Sequence, residues 1–181
     1  MPVIEIRRAE AEDLNGLVAS SAALFAEDGV RDRLRNPQWP SEHGAAWIAE
    51  LSVNPDALLL AAVADGIVAG HLIGFYQPAS PMWLGARAEL VSMYVGPGLR
   101  RKGVGSRLVA DFTAWAHERG ATRLHVTAHT ANDAAIRFYK RHGYAPLSTE
   151  FAADLYRKNV DRSRRTRPPV PRVAAKATRC H

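Results

Sequence analysis

The chain has 181 residues, 47% of them hydrophobic, enough for one globular domain with a proper core. No apolar run approaches the roughly 18 residues of a membrane span, and Met1-Pro2-Val3-Ile4-Glu5-Ile6 lacks a signal-peptide apolar region, so a cytoplasmic protein is expected. A single cysteine, Cys180, excludes an internal disulfide or cysteine-based zinc site, and the net charge of +6 belongs to residues 156–181, which hold nine Lys or Arg and one acid.

Residues 3–8 alternate as a first strand. Residues 11–28 place Leu14, Leu17, Val18, Ser21, Leu24 and Phe25 at helical spacing. A polar loop over 29–40 carries Arg31, Arg33, Arg35 and Trp39. Residues 41–53 then predict a second helix, with Ser41 as cap and Trp47, Ile48 and Leu51 inward. Residues 57–64 and 67–75 form a hairpin about Asp65-Gly66, a two-residue turn signal. A loop over 77–85 leads into a strand over 86–95, β-branched and aromatic toward its end. Strict alternation puts Glu89, Val91, Met93 and Val95 on one face and Leu90, Ser92 and Tyr94 on the other. A lone carboxylate on an apolar face is costly without a partner. Glu89 is therefore either a candidate base or a strand-end residue paired with Arg87.

The run from Val95 to Ser106 joins that strand to an amphipathic helix through glycine-rich turns and three consecutive cations, Arg100, Arg101 and Lys102. Gly103 and Gly105 leave the backbone clear of Cβ atoms, so successive N–H groups can converge on one anion at a positive helix N-terminus. The pattern asks for a phosphate or pyrophosphate. A Walker loop needs Lys after the last glycine, but Lys102 precedes Gly103. A dinucleotide fingerprint needs a small residue where Leu108 stands, and an acid ending the next strand, which is missing.

Val104, Leu108, Phe112 and Trp115 line the helix that follows, which ends near Gly120. A strand over 122–128 precedes a helix opened by Asn132 and Asp133 and stopped by Gly143, with Ala135, Ile136 and Tyr139 inward. Residues 144–155 read as one or two closing strands. From Lys158 onward no apolar period exists and disorder is expected. The chain thus divides into a domain over 1–155 and a basic tail over 156–181. The tail contains no stacking aromatic beyond Tyr156, so a solvated appendage is favoured over nucleic-acid binding.

Arg100-x-x-Gly103-x-Gly105, followed by Asn132-x-x-Ala135-x-x-Phe138-Tyr139-x-x-x-Gly143-Tyr144, resembles the two signatures of the GNAT superfamily of N-acetyltransferases. The order of elements matches that family over residues 3–155. The resemblance implies an α/β fold with a central mixed sheet flanked by helices. It implies acetyl-CoA as co-substrate and direct transfer of the acetyl group to a primary amine of a small molecule or peptide. The pyrophosphate would rest on N–H groups of Arg101, Lys102, Gly103, Val104, Gly105 and Ser106, and pantetheine beside Met93, Tyr94 and Val95, with Asn132 touching its arm. Glu89 would act as base and Tyr139 as acid to the departing thiolate. A strand bulge before Val95, usual in the family, would disturb the alternation above. An acyl-CoA sensor without transfer is the alternative.

The acceptor stays open. Arg31, Arg33 and Arg35 favour a carboxylate or phosphate on it, whereas Glu27, Asp28, Asp32 and Glu42 favour a polycation; Trp39, Trp47, Tyr76, Met82 and Trp83 lie in the same region. No metal is expected: among seven histidines, His125 and His129 are four apart but on a strand, where that separates them by about 13 Å. His71 and His117 read as satisfied core or surface histidines. The short span from Pro146 to Leu155 leaves little room for a closing hairpin and opens the option of a homodimer that exchanges this segment.

Overall fold

A computed structural model describes residues 3–153 and residue 155. The first of two units, Met1–Ala145, is compact by itself. In the first, β1 (Ile4–Arg8), β2 (Ala57–Ala64), β3 (Ile67–Gln77), β4 (Arg87–Val95) and β5 (Arg123–Val126) lie side by side in that order. The first three pairings are antiparallel and the last is parallel. The mixed α/β sheet expected from the sequence is the one observed. No helix among the described residues is long and apolar enough to cross a membrane.

Strand β2 reads Ala-Leu-Leu-Leu-Ala-Ala-Val-Ala and is buried almost throughout, as an apolar run covered on both faces must be. Its side chains alternate between two cores. Leu58, Leu60 and Ala62 join Leu72, Leu90, Leu108 and Phe112 on one side. Leu59, Ala61 and Val63 join Leu17, Ile48, Leu51 and Ile73 on the other. The first core packs against α3 (Val104–Glu118), and the second against α1 (Leu14–Asp28) and α2 (Trp39–Ser52). The hairpin turns at Asp65 and Gly66, both at positive φ (50° and 79°).

Three expected boundaries shift. The first helix is preceded by a separate 3-10 turn, Ala11–Asp13, where Asp13 and Glu10 cap each other and Arg7 pairs with Asp13. That guanidinium holds the buried Asp13 carboxyl below its usual range, with burial opposing it. Helix α2 starts at Trp39, not Ser41, because Pro40 is preorganised for a first turn; the Ser41 hydroxyl donates to the Gln38 carbonyl at 2.8 Å. Residues 144–153 form no strand. The apolar residues Tyr144, Leu147 and Phe151 recur three or four apart, not two, and Pro146 has no N–H to pair.

The expected alternation along β4 also fails, for a local reason. Opposite β3, Ile73 pairs with Ser92 and Gly74 with Leu90, so Val91 is an extra residue, a β-bulge. Ala88, Leu90, Met93 and Val95 therefore face the α3 side. Glu89, Ser92 and Tyr94, in register with Phe75, Ile73 and His71, face the α1 side. Glu89 does not share a face with Met93 and Val95.

Candidate active site

Strand β5 pairs with β4 only from Arg87↔Arg123 to Leu90↔Val126, while β4 runs on to Val95. The pairing stops at the bulge, where extra twist is expected. From Val91 to Val95 the β5-side edge of β4 has no strand partner among the described residues. An extended polar chain fits such an edge, because main-chain donors and acceptors there can pair with it as a further strand does.

At the end of that edge the chain turns through Pro97–Leu99 and into α3. Buried Leu99 and Val104 anchor the turn from below. Arg101 and Gly103 both have left-handed backbone (φ 61° and 81°), a conformation that turns successive N–H groups the same way. No side chain caps α3, so the N–H groups of its first turn lack intrahelical partners. A Cβ on Gly103 would point into open space, which leaves an approach to those donors. A Cβ on Gly105 would sit 3.4 Å from the Phe138 ring and 3.8 Å from Val95 Cγ2. Gly105 is thus the point where β4, α3 and α4 (Asp133–Arg141) meet. Lys102 and Arg101 are exposed beside the loop. Arg100 is committed elsewhere: its Nε donates to the Val95 carbonyl at 2.8 Å and its Nη2 pairs with Glu27 at 2.6 Å, beside the Tyr94 ring.

Helix α4 brings the downstream motif to the same place. Asn132 Oδ1 accepts from the Ala135 N–H at 3.2 Å, a cap that fixes the start of the helix, and Gly143 ends it at φ 84°. Phe138, Tyr139 and Tyr144 form an edge-to-face cluster packed on the core that Met93 and Val95 also touch. Burial, aided by the nearby Tyr144 and Asp28, pushes the Tyr139 hydroxyl above its ordinary range. The Tyr139 hydroxyl therefore stays protonated throughout the neutral range.

The α1 side of β4 presents different chemistry. A cleft of about 380 Å³ opens there between α1 and the glycine loop, lined by Ser20, Ala23, Ala69, Tyr94, Gly96 and Pro97 among others. Glu89 has no ion-pair partner among the described residues; Arg87 donates instead to Gln77 Oε1 at 2.5 Å and lies over the Trp83 ring. Arg31 and Arg35 are both held by Asp28, at 3.4 and 2.9 Å. Trp39 stacks on Phe25 and meets Trp47 edge-on, so these indoles join α1 to α2.

One feature of the region was missed from the sequence. His71 is fully buried, with Nδ1 2.7 Å from Ser20 Oγ and Nε2 2.8 Å from Ser92 Oγ. It is a satisfied core histidine, as expected, but its partners are 51 and 21 residues away and no local pattern announces them. Burial lowers its pKa to about 4.

The profile of the acetyltransferase (GNAT) family matches residues 25–144. A spermidine N(1)-acetyltransferase of Thermoplasma acidophilum is 25% identical over 166 residues, covering 87% of this chain and 98% of that protein. An aminoglycoside N(6')-acetyltransferase of Klebsiella aerogenes is 29% identical over 123 residues, covering 64% of this chain and 81% of that protein. Among solved structures, an aminoglycoside N-acetyltransferase in complex with CoA superposes with a TM-score of 0.70 at 16% identity, covering 85% of this chain and 95% of that one.

Proposed function

The chain belongs to the acetyltransferase (GNAT) family, and from that premise we propose that it transfers the acetyl group of acetyl-CoA directly to a primary amine of a small molecule or peptide. The observation that carries the reading is the run of five β4 residues, Val91 to Val95, left open by the early end of β5 and ending on an uncapped helix N-terminus.

In this reading the N–H groups from Arg101 to Ser106 hold the pyrophosphate, with Arg101 and Lys102 adding charge. Arg100 acts on the loop by bracing Val95 and Glu27. Met93, Tyr94 and Val95 offer their edge to pantetheine, and a main-chain N–H at Tyr94 or Val95 polarises the thioester carbonyl. Asn132 orders the start of α4 and contacts the arm. Acetyl-CoA itself supplies an activated acyl group with a good thiolate leaving group. Glu89, on the α1 face, removes a proton from the incoming ammonium, directly or through water. Tyr139, kept protonated by burial, gives its proton to the departing thiolate. It is restored by the second proton that the acylated nitrogen loses as it becomes a neutral amide. The base and the acid thus stand on opposite faces of β4, and acceptor and acyl donor approach from opposite sides.

The acceptor we favour is a small cationic amine. Two of the three arginines that spoke for an anionic acceptor are held by Asp28, which offsets one of their two charges, while Glu89 carries no paired cation among the described residues. The spermidine and aminoglycoside acetyltransferases among the relatives support the same class. The test follows thiol release from acetyl-CoA with polyamines, aminoglycosides and lysine peptides. Turnover with a cationic small amine supports the proposal. Saturable binding without turnover on any amine replaces it with a sensor role.

A further inference from the structure

We propose, resting on the transfer reading above, that Ser92 is a substrate-contacting residue whose hydroxyl, aimed by His71 and Ser20, accepts an N–H of the attacking amine and selects primary over secondary amines. The bulge at Val91 makes Glu89 and Ser92 successive side chains on the α1 face of β4, in register with Phe75 and Ile73 of β3. The side chain that follows on this face, Tyr94, lines the cleft, as does Ser20. Ser92 therefore lies between the base and the cleft, half-buried, with its hydroxyl 2.8 Å from His71 Nε2.

The tautomer of His71 decides what that hydroxyl can do, and the one proposed carries its proton on Nδ1. A neutral imidazole has one N–H and one bare nitrogen. When Nδ1 donates to Ser20 Oγ, Nε2 is the acceptor and captures the Ser92 proton. Ser92 Oγ is then left with lone pairs only, a fixed acceptor. Burial keeps His71 neutral at physiological pH, so it does not become a double donor that would reverse the Ser92 bond. His71 and Ser20 are positioning residues in this scheme.

A neutral primary amine offers two N–H groups and one lone pair. With one N–H on Glu89 or its water and the other on Ser92, the lone pair has a single remaining direction, toward the thioester carbon. A secondary amine has one N–H and satisfies only one of the two acceptors, leaving a polar group unpaired and the lone pair unaimed. No proton moves through His71, so nothing has to be reset between turnovers.

Two measurements decide it. Side-chain 15N–1H correlation of His71 in the acetyl-CoA-bound protein reads the tautomer without any acceptor: Nδ1–H is expected, and Nε2–H overturns the inference. Kinetics then compare wild type, Ser92→Ala and Ser92→Thr, with putrescine and its N,N'-dimethyl derivative as acceptors. For putrescine, Ser92→Ala should lower kcat about 10- to 100-fold with the acetyl-CoA KM unchanged, erasing most of the preference over the dimethyl compound, and Ser92→Thr should restore it. A Ser92→Ala enzyme that melts lower but keeps wild-type kcat and amine preference contradicts the inference while leaving transfer intact. A wild type that does not bind acetyl-CoA overturns the transfer reading itself.

Discussion

Tyr139 and His71 are the two residues whose burial most changes their chemistry, in opposite directions. For the phenol, burial favours the protonated form, so no loss of activity from its ionisation is expected between pH 7 and 9. Tyr139→Phe should leave acetyl-CoA affinity within about twofold and lower kcat at least about tenfold, as loss of a general acid does. Stopped-flow thiol release with a parallel binding titration checks both numbers. For His71 the buried form is neutral, with a pKa lowered from 6.5 to about 4. The unfolded chain binds that proton first, so the stability is fully present above pH 6.5 and is lost as pH falls toward 4, about 3 kcal/mol in all. Urea unfolding between pH 7 and 4 should show this loss, and His71→Gln should remove most of its pH dependence. The glycine turn into α3 and the helix capped by Asn132 were legible because each motif is contiguous in sequence. The Ser20–His71–Ser92 chain was not, because its members come from three separate elements that only the folded sheet brings together.

At the scale of elements the decisive object is β4. Its apolar and aromatic content marks a strand, but one inserted residue reverses every later side chain, and nothing in the string Leu90-Val91-Ser92 distinguishes a bulge from plain alternation. Val91 is 42% exposed, so the extra residue serves the backbone path more than the core. Deleting Val91 returns β4 to a regular ladder while Glu89, Ser92, Met93 and Tyr94 keep their faces. The variant should fold, with a melting temperature within several degrees of wild type. It should lose transfer at least about tenfold, since misplaced reacting groups are costly. Melting and kcat measured together check this, and a deletion variant with full activity contradicts the role given to the bulge. The arginines of the 29–40 loop teach a related lesson. Sequence counts charges, but only the fold shows that Asp28 pairs with two of these arginines.

For the whole molecule, the high net charge misrepresents the domain. The basic excess lies in residues 156–181, outside the described residues, while residues 1–155 are slightly acidic. We propose that this segment takes no part in transfer. Truncation after Tyr156 should leave acetyl-CoA affinity and kcat within about twofold, while removing any salt-sensitive affinity for polyanions. Parallel assays of full-length and truncated chains at two salt concentrations test it. The order of elements through α4 was readable because amphipathic periods and turn residues agree along that stretch. Beyond Tyr144 they do not agree, and the closing strand expected there is not formed over residues 144–153.

The most direct measurement is calorimetric titration of acetyl-CoA into wild type and Gly103→Asp, with ATP as control ligand. Gly103 has φ 81° and open space where a Cβ would stand, so aspartate places strain and a negative charge at the proposed pyrophosphate site. The account predicts saturable binding by wild type and a loss of about 100-fold or more in the variant, some 3 kcal/mol, with the fold retained. Equal affinity in the two proteins, or no binding by well-folded wild type, would contradict it.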